Sequence, residues 1–309
     1  MANDHYVPQF YLRNFSPTKA AGRVWCYKRK QRPSLKGIKS VASEEDFYTF
    51  TDKTTGQRNT DVEKFYDRST ESPAAPVIKK IMAMDHLILS DDERETIAHF
   101  AAHLITRNPR YRTIQKKYLD GDYEFLKYLE NEESFLDGIQ DLGITIEEAK
   151  ERRKEILSNP DAFFEDMSQS QQELSVYGSL ALGIDCFKAL MEKQWQLIKS
   201  DSSRVFVTSD NPVSSIPPKN KPKNWESGFI NQVLSLPLSP SKCLVFSRGE
   251  GFAKTIKVKR EQVDKANFYT MFFAYTSVYS NLLSKDIENN FNSTPQVKDE
   301  EATFFKKKD

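Results

Sequence analysis

The sequence predicts an α+β fold: a helical central region packed with a smaller, mainly antiparallel sheet formed by N-terminal strands and strands of the C-terminal third. Three observations carry this. Residues 60–192 place apolar side chains at helical spacing, as in SDDERETIAHFAAHLITR, where Ile97, Phe100, Ala101, Leu104 and Ile105 form one stripe. GRVWCYKRK near the start and QWQLIKS, RVFVTS and KCLVFS later are short, rich in β-branched and aromatic residues, and separated by turn formers. The whole is 38% hydrophobic and 29% charged, a balance that suits a folded chain.

In chain order, Pro8 suits the first position of a short helix over PQFYLRNF, because proline fixes φ and has no amide proton to lose there. EEDFYTF reads as a strand. TDVEKFYDRSTESPAAPVIKKIM reads as helix on both sides of a kink at Pro73 and Pro76. Ser90 is the expected N-cap of the next helix, which Asn108 and Pro109 should end. ITIEEAKERRKEIL and a longer helix opening at Pro160 follow. FINQVLSLPLS adds a strand, and REQVDKANFYTMFFAYTSVYSNLL reads as one helix throughout. Residues 1–285 are therefore expected as a single α+β domain (1–58, 60–192, 193–258 and 259–284), and residues 286–309 as a polar, flexible tail.

No apolar run is long enough to span a membrane, and the N-terminus lacks the basic and apolar regions of a secretory signal. Cys26, Cys186 and Cys243 are few and scattered, as in buried thiols of a reducing compartment, so a cytoplasmic protein is expected. The net charge of +1 hides a segregation. Residues 1–42 carry nine Lys and Arg against Asp4, whereas residues 130–173 carry thirteen Asp and Glu against four Lys and Arg. A basic head attracts a phosphate-rich partner such as nucleic acid or a nucleotide, or docks on the chain's own acidic segment.

Three motifs carry candidate chemistry. In HYVPQFYLRNF, His5 is suited to proton transfer and Arg13 to clamping a phosphate or carboxylate. In HLITRNPR, Arg107 closes a helix, and His99 and His103 share a face at a zinc-compatible spacing. Phe100 stands where a zinc protease would need Glu. In RVFVTSDNPVSS, a strand runs into Ser209, Asp210, Asn211 and Pro212, where a carboxylate can orient a base or hold a metal, or simply make a turn. Phosphate-loop, dinucleotide, nucleophile-elbow and CxxC signatures are absent, and TDVEKFYD misses the carboxylate and lysine order of restriction-type nucleases.

HYVPQFYLRNF, Arg107-Asn108-Pro109, FVTSDNPV and LPLSP together resemble a bacterial family known as domain of unknown function 4238, from His5 to about the helix containing Asn267. The resemblance implies a shared fold and names no reaction. Its pattern matches His5, Pro8, Arg13, Arg107, Pro109, Ser209, Asp210, Pro212 and Pro237, with acids expected at Glu63 and Glu71, and with glutamine more usual where this chain has His103. Separate motifs supplying complementary polar groups point to one pocket.

The expected catalytic set is His5, Asp210, Arg13, Arg107 and Glu71, with Gln9, Ser209, Lys28 and Arg29 as substrate contacts. In this reading the protein is an intracellular hydrolase, a phosphodiesterase or nuclease. His5 serves as acid or base, Asp210 orients it or holds a divalent cation such as magnesium or manganese, and the arginines stabilise phosphate charge. Phage defence is a compatible setting that no residue demonstrates. The alternative is a non-catalytic interaction protein in which the same residues form a structural polar network. A convergence of His5, Arg13, Arg107 and Asp210 on one open cleft would favour the enzyme.

Overall fold

The computed structural model describes residues 3–18, 20–51, 56–113, 130, 132, 145–200, 203–216, 232–248 and 254–297. The expected α+β architecture is present, with two principal sheets in place of one. The first joins the two ends of the chain: β2 (Arg23–Lys28) lies between β3 (Ser34–Gly37) and β13 (Ser277–Ser280), and β13 also pairs with β8 (Thr208–Ser209), all antiparallel. The second runs in the order β12 (Lys254–Val258), β7 (Gln194–Ser200), β11 (Lys242–Ser247), β10 (Val233–Ser239), β9 (Ser214–Ile216), and within it only the β12–β7 pair is parallel. β1 (Asn3–His5) with β4 (Ser43–Glu45), and β5 (Phe50–Thr51) with β6 (Arg58–Asn59), form two small ladders.

The helical centre follows its local signals. α2 (Asp61–Tyr66) passes through a π turn, Asp67–Glu71, into α3 (Ser72–Ala83). The Ser72 amide donates to the Asp67 carbonyl, five residues back. Pro73 has no amide to offer, and its ring would crowd the carbonyl four residues earlier, which a wider turn relieves. α4 (Asp91–Thr106) starts in a full capping box between Ser90 and Glu93, and α5 (Ile146–Ser158) starts in another between Thr145 and Glu148. α6 (Pro160–Met191) lies along α4. No helix among the described residues is long and apolar enough to cross a membrane.

Several expectations change. Pro8 sits just before α1 (Gln9–Arg13) rather than in it. EEDFYTF is not one strand: Asp46 takes φ 52°, and the chain turns between β4 and β5 while burying Phe47, Tyr48 and Phe50. RVFVTS contributes only Thr208–Ser209 to a ladder, because the Phe206 amide donates to the Pro240 carbonyl and the Val207 amide to Asn267 Oδ1. α7 (Arg260–Phe273) stops where one helix was expected to continue into what is β13. The expected tail instead begins with α8 (Lys285–Ser293), capped by Ser284 and anchored through buried Ile287 and Phe291. That helix has an apolar pair four residues apart on an otherwise polar sequence. Residues 298–309 lie outside the described residues.

The α4–α6 contact makes two predictions. A Cβ at Gly183 would lie 2.8 Å from His103 Cε1 and 2.9 Å from Nδ1, in a buried site, so Gly183→Ala should cost about 1–3 kcal/mol in urea unfolding. Burial, then the neighbouring charges of Arg107 and His99, hold the His103 imidazole down to about 3. Below an unfolded value of about 6.5 the unfolded chain binds the proton first. Stability from this group is thus complete above about pH 6.5 and lost as pH falls toward 3, by about 1.4 kcal/mol per pH unit. His103→Gln should flatten the acid limb of stability between about pH 6 and 4 by that slope.

Candidate functional site

The sequence motifs do meet, and they meet at Tyr11. This side chain is fully buried; its hydroxyl donates to the Pro237 carbonyl at 2.5 Å and lies 2.8 Å from Thr208 Oγ1. The opening segment is thereby tied to both the LPLSP and the FVTSDNP strands. Phe10 and Tyr11 pack on Phe100 of α4, at ring separations of 5.5 and 6.1 Å. Asn108 closes the circle, donating through Nδ2 to the Ile105 carbonyl at 2.6 Å and to Asn211 Oδ1 at 3.4 Å.

At the outer edge of this junction is a cleft of ≈ 420 Å³ lined by His5, Gln9 and Arg13 on one side and Tyr48, Glu63, Tyr66, Asp67, Glu71 and Ser72 on the other. Gln9 and Arg13 bracket α1 four residues apart, so they share a face. Glu63, Asp67 and Glu71 recur at the same interval along α2 and the π turn, which presents three carboxylates to the cleft. Burial, and then the negative charges of Asp4, Glu71 and Asp67, push the Glu63 carboxyl above its usual range. His5 is half-buried, and burial lowers its imidazole against hydrogen bonding to the backbone at Ile38 and the charge of Glu71. The ring is therefore neutral near pH 7.

Behind the cleft, Arg107 is enclosed, its side chain 1% exposed. NH1 donates to Glu71 Oε1 at 2.8 Å, and the guanidinium stands 4.9 Å above the Tyr66 ring. A small pocket on this inner side is lined by Tyr48, Tyr66, Thr106, Arg107 and Arg112, and holds only ≈ 10 Å³. Buried polar atoms accumulate around the cleft and this pocket. His5 Nε2 on one side, and the Tyr48 and Tyr66 hydroxyls, Thr106 Oγ1, and Arg107 Nε and NH2 on the other, have no hydrogen-bond partner among the described residues.

Four expected site residues lie elsewhere. Asp210 does not line the cleft; it is fully buried and accepts four hydrogen bonds, from the amides of Tyr275, Thr276 and Ser277 and from Thr276 Oγ1, at 2.7 to 2.8 Å. Burial raises its carboxyl, and those bonds oppose the shift. Ser209 Oγ donates to the Asn211 carbonyl and accepts from the Asn211 amide, a turn contact. Arg29 donates to the Met271, Phe291 and Thr294 carbonyls and stacks on Phe291, while Lys28 stands exposed at the end of β2. Among the described residues no group of three or more His, Cys, Asp or Glu is disposed to hold a metal ion. His103 is enclosed by Tyr66 and Phe65, and His99 stacks on Phe187 at 3.8 Å. Tyr48, Tyr66 and Asp67 went unremarked in the sequence; for Asp67 the signal was the fourfold spacing from Glu63 to Glu71.

Residues 3–282 match the model of a family described as "Protein of unknown function (DUF4238)". The chain belongs to this family. No curated protein and no solved structure matches it. In this DUF4238 member the residues singled out in the sequence divide between a buried clasp around Tyr11 and Asp210 and an open cleft around His5, Arg13 and Glu71.

That division is measurable. Asp210→Ala leaves four donors without an acceptor at about 1–3 kcal/mol each, so the variant should be unfolded or lose most of its stability, whereas Arg13→Ala, at an exposed position, should stay within about 0.5 kcal/mol of the parent in urea unfolding.

Proposed function

We propose that the protein is a hydrolase whose working site is the His5–Glu71 cleft. The observation that carries this is the concentration of unpaired buried polar atoms around an open cleft and the small pocket behind it. Folded proteins pair such groups almost without exception, so a cluster of them marks a place where a polar ligand completes the bonding. A neutral imidazole across the cleft from a carboxyl with a raised proton affinity offers a proton acceptor and a proton donor at one site. In this scheme His5 takes the proton from an attacking water, Glu63 gives a proton to the leaving group, and Gln9 and Arg13 orient the substrate. Before substrate enters, Arg107 holds Glu71.

Charge narrows the substrate. Arg13 faces Glu63, Asp67 and Glu71, so the cleft mouth is acidic and repels a long polyanion. Arg29 is engaged by helix carbonyls and unavailable for phosphates. A small ester or phosphodiester with a single anionic group fits better than a nucleic-acid strand. The interaction-protein reading keeps one specific support, the enclosed Arg107–Glu71 pair, which is the kind of bond a structural network uses.

The two readings separate in a turnover assay with chromogenic carboxylic and phosphoric esters, bis(p-nitrophenyl) phosphate among them. Hydrolysis that falls at least a hundredfold in His5→Ala, in a protein that unfolds at the parent's urea midpoint, is the expected result. Absence of turnover across the panel, or turnover indifferent to His5, removes the hydrolase.

A further inference from the structure

The small pocket behind the cleft is lined by donors with nothing to donate to. Arg107 offers Nε and NH2, and Tyr48 and Tyr66 their hydroxyls, all buried and all without an acceptor among the described residues. Both tyrosines line the cleft as well as the pocket, so they form the partition between them. Glu71 stands at the same boundary, 22% exposed, and takes one guanidinium donor through Oε1. Donors that converge without acceptors call for an acceptor-rich, negatively charged group, and a planar guanidinium favours a carboxylate or phosphate in particular.

We propose that Arg107, Tyr48 and Tyr66 are the receptor for an anionic group of the ligand, a carboxylate or a phosphate, and that Glu71 occupies the guanidinium until that group replaces it. This rests on the cleft being the ligand site, though not on any turnover. Volume sets the side of approach. At ≈ 10 Å³ the pocket admits at most one water, so a ligand's anionic head reaches Arg107 from the cleft, where Glu71 now holds NH1. Charge agrees, because Arg107 and Arg112 both border the pocket, no carboxylate among the described residues lines it, and Glu71 meets Arg107 from the cleft side. Glu71 has a route, since its side chain is 22% exposed and lines the open cleft into which it can swing. The ligand then spans two signs of charge: its anionic end meets Arg107, and a neutral or cationic part lies between Glu63 and Asp67.

Acetate and inorganic phosphate serve as probes, titrated calorimetrically at constant ionic strength into the full chain and into Glu71→Gln, which keeps the side chain's shape and removes its charge. The expected result is at least tenfold tighter binding of one probe by Glu71→Gln, with the gain cancelled when Tyr48→Phe is added; the probe that responds names the anion class. Equal affinity in both proteins would mean that a single water satisfies the donors, and would overturn the proposal. Should Glu71→Gln fail to fold, Glu71→Asp, whose shorter arm loosens the pair, is read by the same criterion. Anion binding without ester turnover in the parent would sink the hydrolase alone and leave the receptor standing.

Discussion

One buried carboxylate organises the meeting of the chain's two ends. Asp210 has no exposure to water, and a charge so placed must be met by donors or expelled. The backbone of Tyr275, Thr276 and Ser277 meets it, which halts α7 at Phe273 and turns the chain into β13. β13 in turn pairs with β2, so the first strand of the principal sheet is positioned by a side chain nearly two hundred residues later. The cleft hangs from this arrangement, because α1 and β1 are held against the helical centre only once Tyr11 finds Thr208 and Pro237 on the neighbouring strands.

The positive charge of the chain is spent in a related way. Arg29 bonds the last carbonyls of α7 and α8, Lys242 those at the end of α3, Arg94 the end of α6, and Arg110 the Ala274 carbonyl just after α7. Helix C-termini expose unpaired carbonyls and carry partial negative charge, so a cation there satisfies both needs at once. What reads along the sequence as a basic head suited to a polyanion contains Arg29, whose donors point inward. The acidic cleft mouth follows from the same distribution.

How much of this was legible depends on the range of the interactions. Helix starts at Ser90 and Thr145, and strands such as Gln194–Ser200 and Lys242–Ser247, are set by neighbours a few residues away, and the sequence shows them directly. The break of α7 was hidden, since Asp210 acts on it from another element and the aromatic run Phe268 to Tyr279 suits a helix or a strand equally. For the site, His5, Arg13 and Arg107 could be picked out because unusual residue types stood in separate motifs, and Glu71 through the family resemblance. The exclusion of Asp210 could not be, because a turn carboxylate and a catalytic one look the same until their donors are seen. Glu63 and Asp67 became site residues through a helix face, whereas Tyr48 did so through a left-handed residue at Asp46 that no local pattern announced.

The pairing of β2 with β13 also sets a timetable. Residues 23–28 pair with β3 close by, but the partner of their other edge comes only at residues 277–280, so during synthesis at ~5–20 residues per second that edge waits on the order of tens of seconds. Until then one side of β2 is an unpaired edge of the kind that recruits other chains. The lysines and arginines that crowd it, Arg23, Lys28, Lys30 and Arg32 among them, keep such an edge apart from its copies on neighbouring ribosomes. The same charge that does not serve the cleft thus has work to do before the cleft exists.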